Sequence, residues 1–451
     1  MTTQASIRAA SNYTPDAVSR SDPADSAPRW HPAVRIAFRL CLIYFVLYVV
    51  TTQMLPEMFP IPGVDVPDLG GLPPLRNLTL WVGTHILRIS RAIPYAATGS
   101  GDKTFDFVAA FTLLVVALAA TIIWTAIAKH RSHHERLFAW FRLFLRFALG
   151  TTMLTYGLAK AVPLQMPIPS LNRLIQPYGD FSPMGVLWAS IGASPAYEIF
   201  VGVAEVAGGL LLFWPRTATI GALMCLMDTI AVFTLNMTYD VPVKLFSFNL
   251  VLMSLVLLAP NIRRLFDLLV LQRSAILRQE PPIGHTATAR RNWVVAQLAF
   301  GVVVLLIGVH DRADNWRERG GAAPKSPLYG VWDVDVMTVD GETRAPLLTD
   351  STRWRRLTFQ QPTYMTFQRP NDHTKTYDTA MDTGIRTLTL TGPDSTIKGR
   401  LSYERQNHER LMINGTMEGH AIHLELAFRD PDSFLQRSRG FHLISEAPFN
   451  R

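Results

Sequence analysis

Cysteine is scarce in this 451-residue chain, which contains only Cys41 and Cys225. No C-x-x-C pair is present, so the sequence argues against a dithiol redox centre and against a disulfide in its C-terminal part. Both cysteines fall in apolar stretches, and we interpret them as small core residues. The sequence also has no motif typical of a haem, flavin, nucleotide or metal site, and we therefore predict no metal ion and no evident cofactor.

Charged residues are scarce as well. They make up 17% of the chain, against about 25% in an average soluble domain, while 49% of the residues are hydrophobic and the mean hydropathy is +0.16. From Gly320 onward acidic and basic residues are equal in number, so the net charge of +8 arises before that point. Basic loops beside an anionic membrane leaflet account for this excess without a nucleic-acid partner.

Long apolar runs fill the chain up to about residue 310, and about 20 apolar residues suffice for a helix to cross a bilayer. The first run follows a polar tail and shows no clear cleavage site, so we expect a membrane anchor rather than a signal peptide. We predict seven spans, at residues 33–52, 105–128, 143–162, 196–214, 217–237, 245–259 and 293–309.

The positions of Arg and Lys indicate the orientation of these spans. Basic residues cluster at the start of the first span and between the second and third and the sixth and seventh spans, and Arg216 follows the fourth. Basic segments of this kind stay in the cytoplasm. We therefore predict a multi-pass protein of the cell (inner) membrane with a cytoplasmic N-terminus. The predicted segments are a disordered cytoplasmic tail (1–30), two spans (31–130) with a long outer loop (53–104), a four-helix unit (143–270), a cytoplasmic linker (271–291), the seventh span (292–309) and an extracytoplasmic β-domain (320–451).

The C-terminal part changes from long apolar runs to alternation with a period of two. In TIKGRLSY the residues Ile397, Gly399, Leu401 and Tyr403 share one face, and HAIHLELAF alternates in the same way. This period is typical of strands, and short strands without intervening helices favour a small antiparallel barrel or sandwich. The opening GVWDVDV, with Gly330 and Trp332, resembles the first strand of lipocalin-like barrels.

The acidic residues Glu198, Glu205 and Asp228 lie inside predicted spans, where an unpaired carboxylate is costly. Glu198 and Glu205 are close to one face of the fourth span, since two helical turns take about 7.2 residues. At about 1.5 Å per residue, Glu205 and Asp228 lie near the midplane without a basic residue at their depth. We predict them as proton-active acids, at least one of which carries a proton, and we expect Glu198 to pair with shallow cations such as Lys160.

Further polar residues near the outer surface complete a predicted ligand-binding set. Each of these residues also has a purely structural interpretation. The charged residues could form shallow ion pairs, a neutral Glu205 could fix helix packing with the help of small residues, and His85 could be an interfacial residue of the outer loop. The predicted set consists of Tyr156, Lys160, Glu198, Asn236, Asp240, Lys244 and His85.

Residues of about 143–270 are similar to the DoxX-like family of small membrane proteins. The matching elements are Gly157 and Lys160 in LTYGLAKAVP, Glu205-x-x-Gly-Gly in the fourth span, and the Leu-Ala-Pro that closes the sixth. The resemblance implies a four-helix unit and a quinone-linked subunit of an oxidoreductase system, such as thiosulfate:quinone oxidoreductase. The extra N-terminal spans, the seventh span and the β-domain depart from the short family pattern, so substrate and partner stay open.

Two hypotheses of different classes follow. In the first, the protein is a membrane subunit that binds a quinone or another lipid-like molecule and works with a redox partner protein. In the second, it is a non-enzymatic scaffold that anchors an extracytoplasmic β-domain, which binds a lipid or a protein. A transporter has less support, because the spans show no inverted repeat.

Overall fold

The computed structural model describes residues 30–128, apart from 62, 63, 65, 68, 96 and 97, and residues 134–450. The predicted cytoplasmic tail therefore lies outside the described residues, except for Trp30. The described part confirms a multi-pass helical membrane protein with a C-terminal antiparallel β-barrel.

Seven helices are long and apolar enough to cross a membrane within the described part of the chain. They match the predicted spans closely, except that two begin or end well outside the predicted apolar block. The spans are α1, α4, α5, α8, α9, α10 and α12, and the remaining α-helices are short. In chain order the α-helices of the described residues are α1 (Pro32–Thr51), α2 (Met54–Met58), α3 (Pro73–Trp81), α4 (Thr104–Ile127), α5 (Glu135–Ala161), α6 (Leu171–Ile175), α7 (Pro183–Gly192), α8 (Pro195–Phe213), α9 (Ala218–Thr238), α10 (Lys244–Leu258), α11 (Ile262–Leu269), α12 (Ala287–Glu318) and α13 (Leu435–Ser438).

The spans α5 and α12 are longer than predicted, because hydropathy detects only the apolar part of a helix. The first turns of α5 carry charged residues, and α12 continues as a polar helix up to Glu318. Arg319 caps this helix, and Gly320 and Gly321 follow, packed so closely on Trp316 that a Cβ atom at either would lie within 2.6 Å of its ring. The polar end of α12 brings the membrane part close to the β-domain.

The four helices α5, α8, α9 and α10 form a closed ring, in which each packs against the next and α10 returns to α5. The closest approach is between α5 and α8. A Cβ atom at Gly202 would lie 2.3 Å from the backbone nitrogen of Ala161, and one at Gly157 would lie 2.8 Å from that of Val206. Only glycine permits this backbone contact, which is a common way to pack helices in membranes.

The segment after α11 lies along one end of this ring rather than extending away from it. Buried Arg142 of α5 forms an ion pair with Glu280 and donates to the carbonyl oxygen of Leu257 at 2.9 Å. The side chain of Asn261 accepts from the backbone nitrogen of Arg278 at 2.6 Å. These contacts fix the predicted linker to the bundle.

The β-domain is an eight-stranded antiparallel barrel closed by pairing of its first and last long strands, with one short extra strand, β2, on the end of β1. The strands are β1 (Gly330–Val339), β2 (Glu342–Thr343), β3 (Arg356–Phe359), β4 (Tyr364–Gln368), β5 (Thr374–Asp382), β6 (Thr387–Thr391), β7 (Ile397–Arg405), β8 (Arg410–Met417) and β9 (His420–Arg429).

The inward side chains of the barrel form one packed apolar core around Trp332, Leu357, Tyr377 and Leu424. The indole nitrogen of Trp332 donates to the carbonyl oxygen of Leu328 at 2.9 Å, so this fully buried ring keeps no unpaired polar atom.

The predicted alternation is confirmed for Ile422, Leu424 and Leu426 of β9 and for Leu401 of β7, which point into the interior. It is wrong for Ile397, which is 56% exposed at the start of β7, where the pairing with β6 shifts register.

The barrel is attached to the loop between α5 and α8. Leu171 and Ile175 of α6 are buried in a cluster with Val331. The backbone nitrogen of Leu171 donates to the side chain of Gln360 at 2.8 Å, and Gln368 donates to the carbonyl oxygen of Ile175 at 3.0 Å. The loop between α5 and α8 therefore joins the barrel to the helical bundle.

Candidate functional site

Six of the nine predicted site residues line one cavity of about 400 Å³ inside the helical ring. It lies between α5, α8, α9 and α10, and α7 covers one side. Most of its wall is apolar, including Met153, Leu187, Trp188, Val232 and Phe246. The predicted residues that line it are Tyr156, Lys160, Glu198, Glu205, Asp228 and Asn236.

A buried ion pair is the main polar contact of the cavity. The Nζ atom of Lys160 lies 2.8 Å from Oε2 of Glu205, and the two side chains are 8% and 3% exposed. Two predictions are therefore wrong. A basic residue does lie at the depth of Glu205, and Lys160 forms its ion pair with Glu205 rather than with the shallower Glu198. The depth count failed because a lysine side chain reaches several ångströms along the helix, and α5 and α8 are almost in backbone contact.

Glu198 and Asp228 each keep one carboxylate oxygen without a partner among the described residues. The other oxygen of Glu198 accepts a hydrogen bond from the backbone nitrogen of Met166 at 2.8 Å, which fixes the side chain to the loop after α5. Buried polar atoms without partners are rare in proteins and need an explanation. Two such oxygens beside one cavity indicate that a polar ligand group or water completes the site.

Glu57 is a site residue that the sequence analysis missed. It lies in α2, next to the cavity wall, and its Oε2 accepts a hydrogen bond from Thr152 at 2.7 Å. Gln53 donates both to Glu57 and to the hydroxyl oxygen of Tyr156, at 3.1 and 2.7 Å. A carboxylate directly after the first span, in MLPEM, was the available signal, but it lay in the predicted outer loop, outside the spans in which site acids were sought.

Burial raises the pKa of Glu57 to about 7, although the hydrogen bonds from Thr152 and Gln53 and the positive charge of Arg312 lower it. Glu57 is outside the seven spans, and Thr152 and Tyr156 both line the cavity. The cavity wall therefore has a carboxyl group behind it that changes its charge near neutral pH.

Asn236 lines the cavity, but its side-chain amide already makes a hydrogen bond between two helices. Its Nδ2 donates to the hydroxyl oxygen of Ser247 at 3.0 Å, which ties α9 to α10. The structure therefore favours a positioning role for Asn236 over direct binding.

Asp240, Lys244 and His85 do not line the cavity. Lys244 pairs with Asp240 at 2.8 Å and, more distantly, with Asp102 at 3.7 Å, next to the cavity rim at 241–243. The Asp240 side chain is 82% exposed, so its pair with Lys244 is a surface contact. His85 is exposed, stacks on Trp81 and contacts its carbonyl oxygen. For these three residues the structure supports a structural role rather than ligand binding in the cavity.

One wall of the cavity is open to the outside of the bundle. Tyr197 and Phe200 of α8 line the cavity, yet they are 53% and 69% exposed. Ala231 of α9 is likewise both a lining residue and exposed. The cavity is therefore partly open to the outside of the bundle beside these residues of α8 and α9.

The fold and the cavity define a class of multi-pass helical membrane proteins with an apolar, laterally open cavity that contains a buried ion pair. The uncharacterized protein YwoB of Bacillus subtilis (strain 168) is 31% identical to this chain over 152 residues, which are 32% of this chain and 83% of YwoB. The chain therefore belongs to the same family as this uncharacterized protein. No protein-family model and no solved structure matches the chain.

The buried pair gives a first prediction. Lys160→Met leaves Glu205 as an uncompensated buried charge and should destabilise the protein by about 3–5 kcal/mol. Combined with Glu205→Leu, the same substitution should regain most of that loss, because an apolar pair can replace a buried ion pair. The measurement is thermal and denaturant unfolding in uncharged detergent.

Lys244→Met is the matched control, since Lys244 pairs with exposed Asp240 at 2.8 Å and only more distantly with Asp102 at 3.7 Å. Asp102 keeps its hydrogen bonds from two backbone N–H groups, so this change should cost about 1 kcal/mol or less. Equal losses for Lys160→Met and Lys244→Met would show that the Lys160–Glu205 contact is not formed as described.

Proposed function

We propose that this protein binds a quinone, or another lipid-like molecule with a polar head group, in the cavity between α5, α8, α9 and α10. The observation that carries this proposal is the combination in one cavity of an apolar wall, a lateral opening and unsatisfied acidic oxygens. Ligand sites are typically apolar clefts with a few well-placed polar groups, and intramembrane acids mark ligand or proton sites.

The polar groups of the cavity suit a quinone head group. An ammonium group has three N–H donors, and Lys160 uses one of them for Glu205. Another donor is then available for a quinone carbonyl oxygen. Reduction of a quinone to a quinol takes up two electrons and two protons, and Glu205 and Asp228 are acids placed to exchange protons at such a head group. The apolar tail would leave past Phe200 into the lipid.

The similarity of residues 143–270 to the DoxX-like family supports the same proposal, because that resemblance implies a quinone-linked subunit. The sequence has no motif for a redox centre of its own, so electrons would come from a partner protein. The protein would then serve a membrane oxidoreductase system as its quinone-binding subunit.

The second hypothesis is a scaffold that presents the β-domain. The packed core around Trp332 and Tyr377 weighs against the version in which the barrel holds a lipid inside. The firm attachment of the barrel to α6 favours the version in which the barrel presents its outer surface to a protein.

The cavity proposal is tested by filling the cavity. Ala204→Phe places a ring into the space beside Glu205, whereas Val203→Phe on the same helix adds an identical ring to an exposed residue that does not line the cavity. Quinones and other lipids extracted from purified protein are quantified by chromatography. Wild type and Val203→Phe should retain the molecule in a stoichiometric amount, and Ala204→Phe should lose most of it.

Equal retention by Ala204→Phe and Val203→Phe would contradict the cavity assignment. Absence of any stoichiometric lipid-like molecule from the wild type, also after reconstitution with quinone, would leave the scaffold as the better account.

We also propose that the N-terminus is cytoplasmic and that the barrel is outside the cell membrane, since basic loops stay inside. A reporter enzyme that is active only outside the membrane should be active when fused after Arg451. The same reporter should be silent when inserted near Arg216, between α8 and α9. The reverse pattern would overturn the orientation.

A further inference from the structure

A second, larger space lies between the membrane part and the barrel. It is a cleft of about 860 Å³, lined by the loop between α5 and α8, the end of α12 and the barrel residues Tyr329, Gln360 and Tyr364. Met184 and Trp188 of α7 line both this cleft and the cavity, so α7 separates the two. The other lining residues belong to one space alone.

The cleft is strongly cationic. Its lining includes four basic residues and one acidic residue, Asp432. Within the part of the chain that the structure describes, none of the four forms an ion pair with a carboxylate. The four are Arg173, Arg319, Lys325 and Arg437.

Neutral groups hold these cations in place. The guanidinium of Arg173 stacks on Phe181, and its Nη1 donates to Gln176 at 2.7 Å. Arg437 donates to the hydroxyl of Tyr329 at 3.1 Å and to a backbone carbonyl at 3.2 Å, while its Nε is buried without a partner. Oriented cations that no carboxylate neutralises form an electrostatic site for an anion.

We propose that this cleft binds a phosphate group, supplied either by an anionic phospholipid of the adjacent leaflet or by a soluble organic phosphate. The planar guanidinium fork of arginine matches phosphate oxygens in pairs. Trp188 and Trp316 line the cleft, and tryptophan is enriched at the level of lipid head groups. The volume exceeds that of a bare ion, so the phosphate belongs to a larger molecule.

The test removes two of the cations and compares the result with an equal loss of charge elsewhere. The variant is Arg173→Gln with Lys325→Gln, both exposed residues of the cleft. The control is Arg317→Gln with Arg400→Gln, which removes two exposed cations that do not line the cleft. Full-length proteins in uncharged detergent are titrated with pyrophosphate in a calorimeter. A second set is reconstituted with phosphatidylcholine containing one-fifth phosphatidylglycerol, and retained lipid is identified by native mass spectrometry.

Loss of two charged hydrogen-bond donors should weaken phosphate binding about tenfold or more. Pyrophosphate binding that is lost in the cleft variant and kept in the control indicates a soluble phosphate. Retention of phosphatidylglycerol with the same pattern indicates a lipid head group. The proposal is overturned if wild type binds neither, or if variant and control lose binding equally. The quinone content of the cavity does not enter this test, so its outcome and that of the cavity experiment can be told apart.

Discussion

The near contact of the α5 and α8 backbones is the constraint on which the candidate site depends. Gly157 and Gly202 allow it, and any larger residue at these positions would push the helices apart. At this distance Lys160 reaches Glu205 and forms a buried ion pair. Burying two charged groups costs desolvation free energy, which their attraction offsets only when the groups are close and well oriented. The glycines bring them close enough, and so allow both charges to remain beside an apolar cavity.

The loop that joins α5 to α8 connects the barrel to this site. That loop supplies α6 to the barrel and α7 to the cavity wall, and its Met166 holds Glu198. The loop therefore connects the barrel both to the cover of the cavity and to one of its acids. This connection gives a physical reason for the β-domain to be part of a membrane protein whose interior site is in the helices.

Much of the fold was predictable from the sequence, because apolar runs and period-two alternation report burial directly. Lengths of apolar runs located the seven helices, and the acids inside them located the cavity. Partners of those acids were not predictable, because the position of a lysine head group depends on side-chain reach and on the distance between helices. Glu57 was missed for a related reason: its burial follows from the packing of a five-residue helix against α5, which no local pattern reveals. The cationic cleft joins residues from Arg173 to Arg437, far apart in the chain, so only the tertiary structure brings them together.

Photoaffinity labelling is the most direct test of the claim that the cavity holds a head group. A quinone with a photoreactive diazirine on its ring would be incubated with reconstituted protein, and the labelled residues identified by mass spectrometry. The account predicts labels on cavity-lining residues such as Val201 and Val232, suppressed by excess unlabelled quinone. Labels confined to lipid-facing residues such as Val203 and Ile230, unaffected by the competitor, would contradict it.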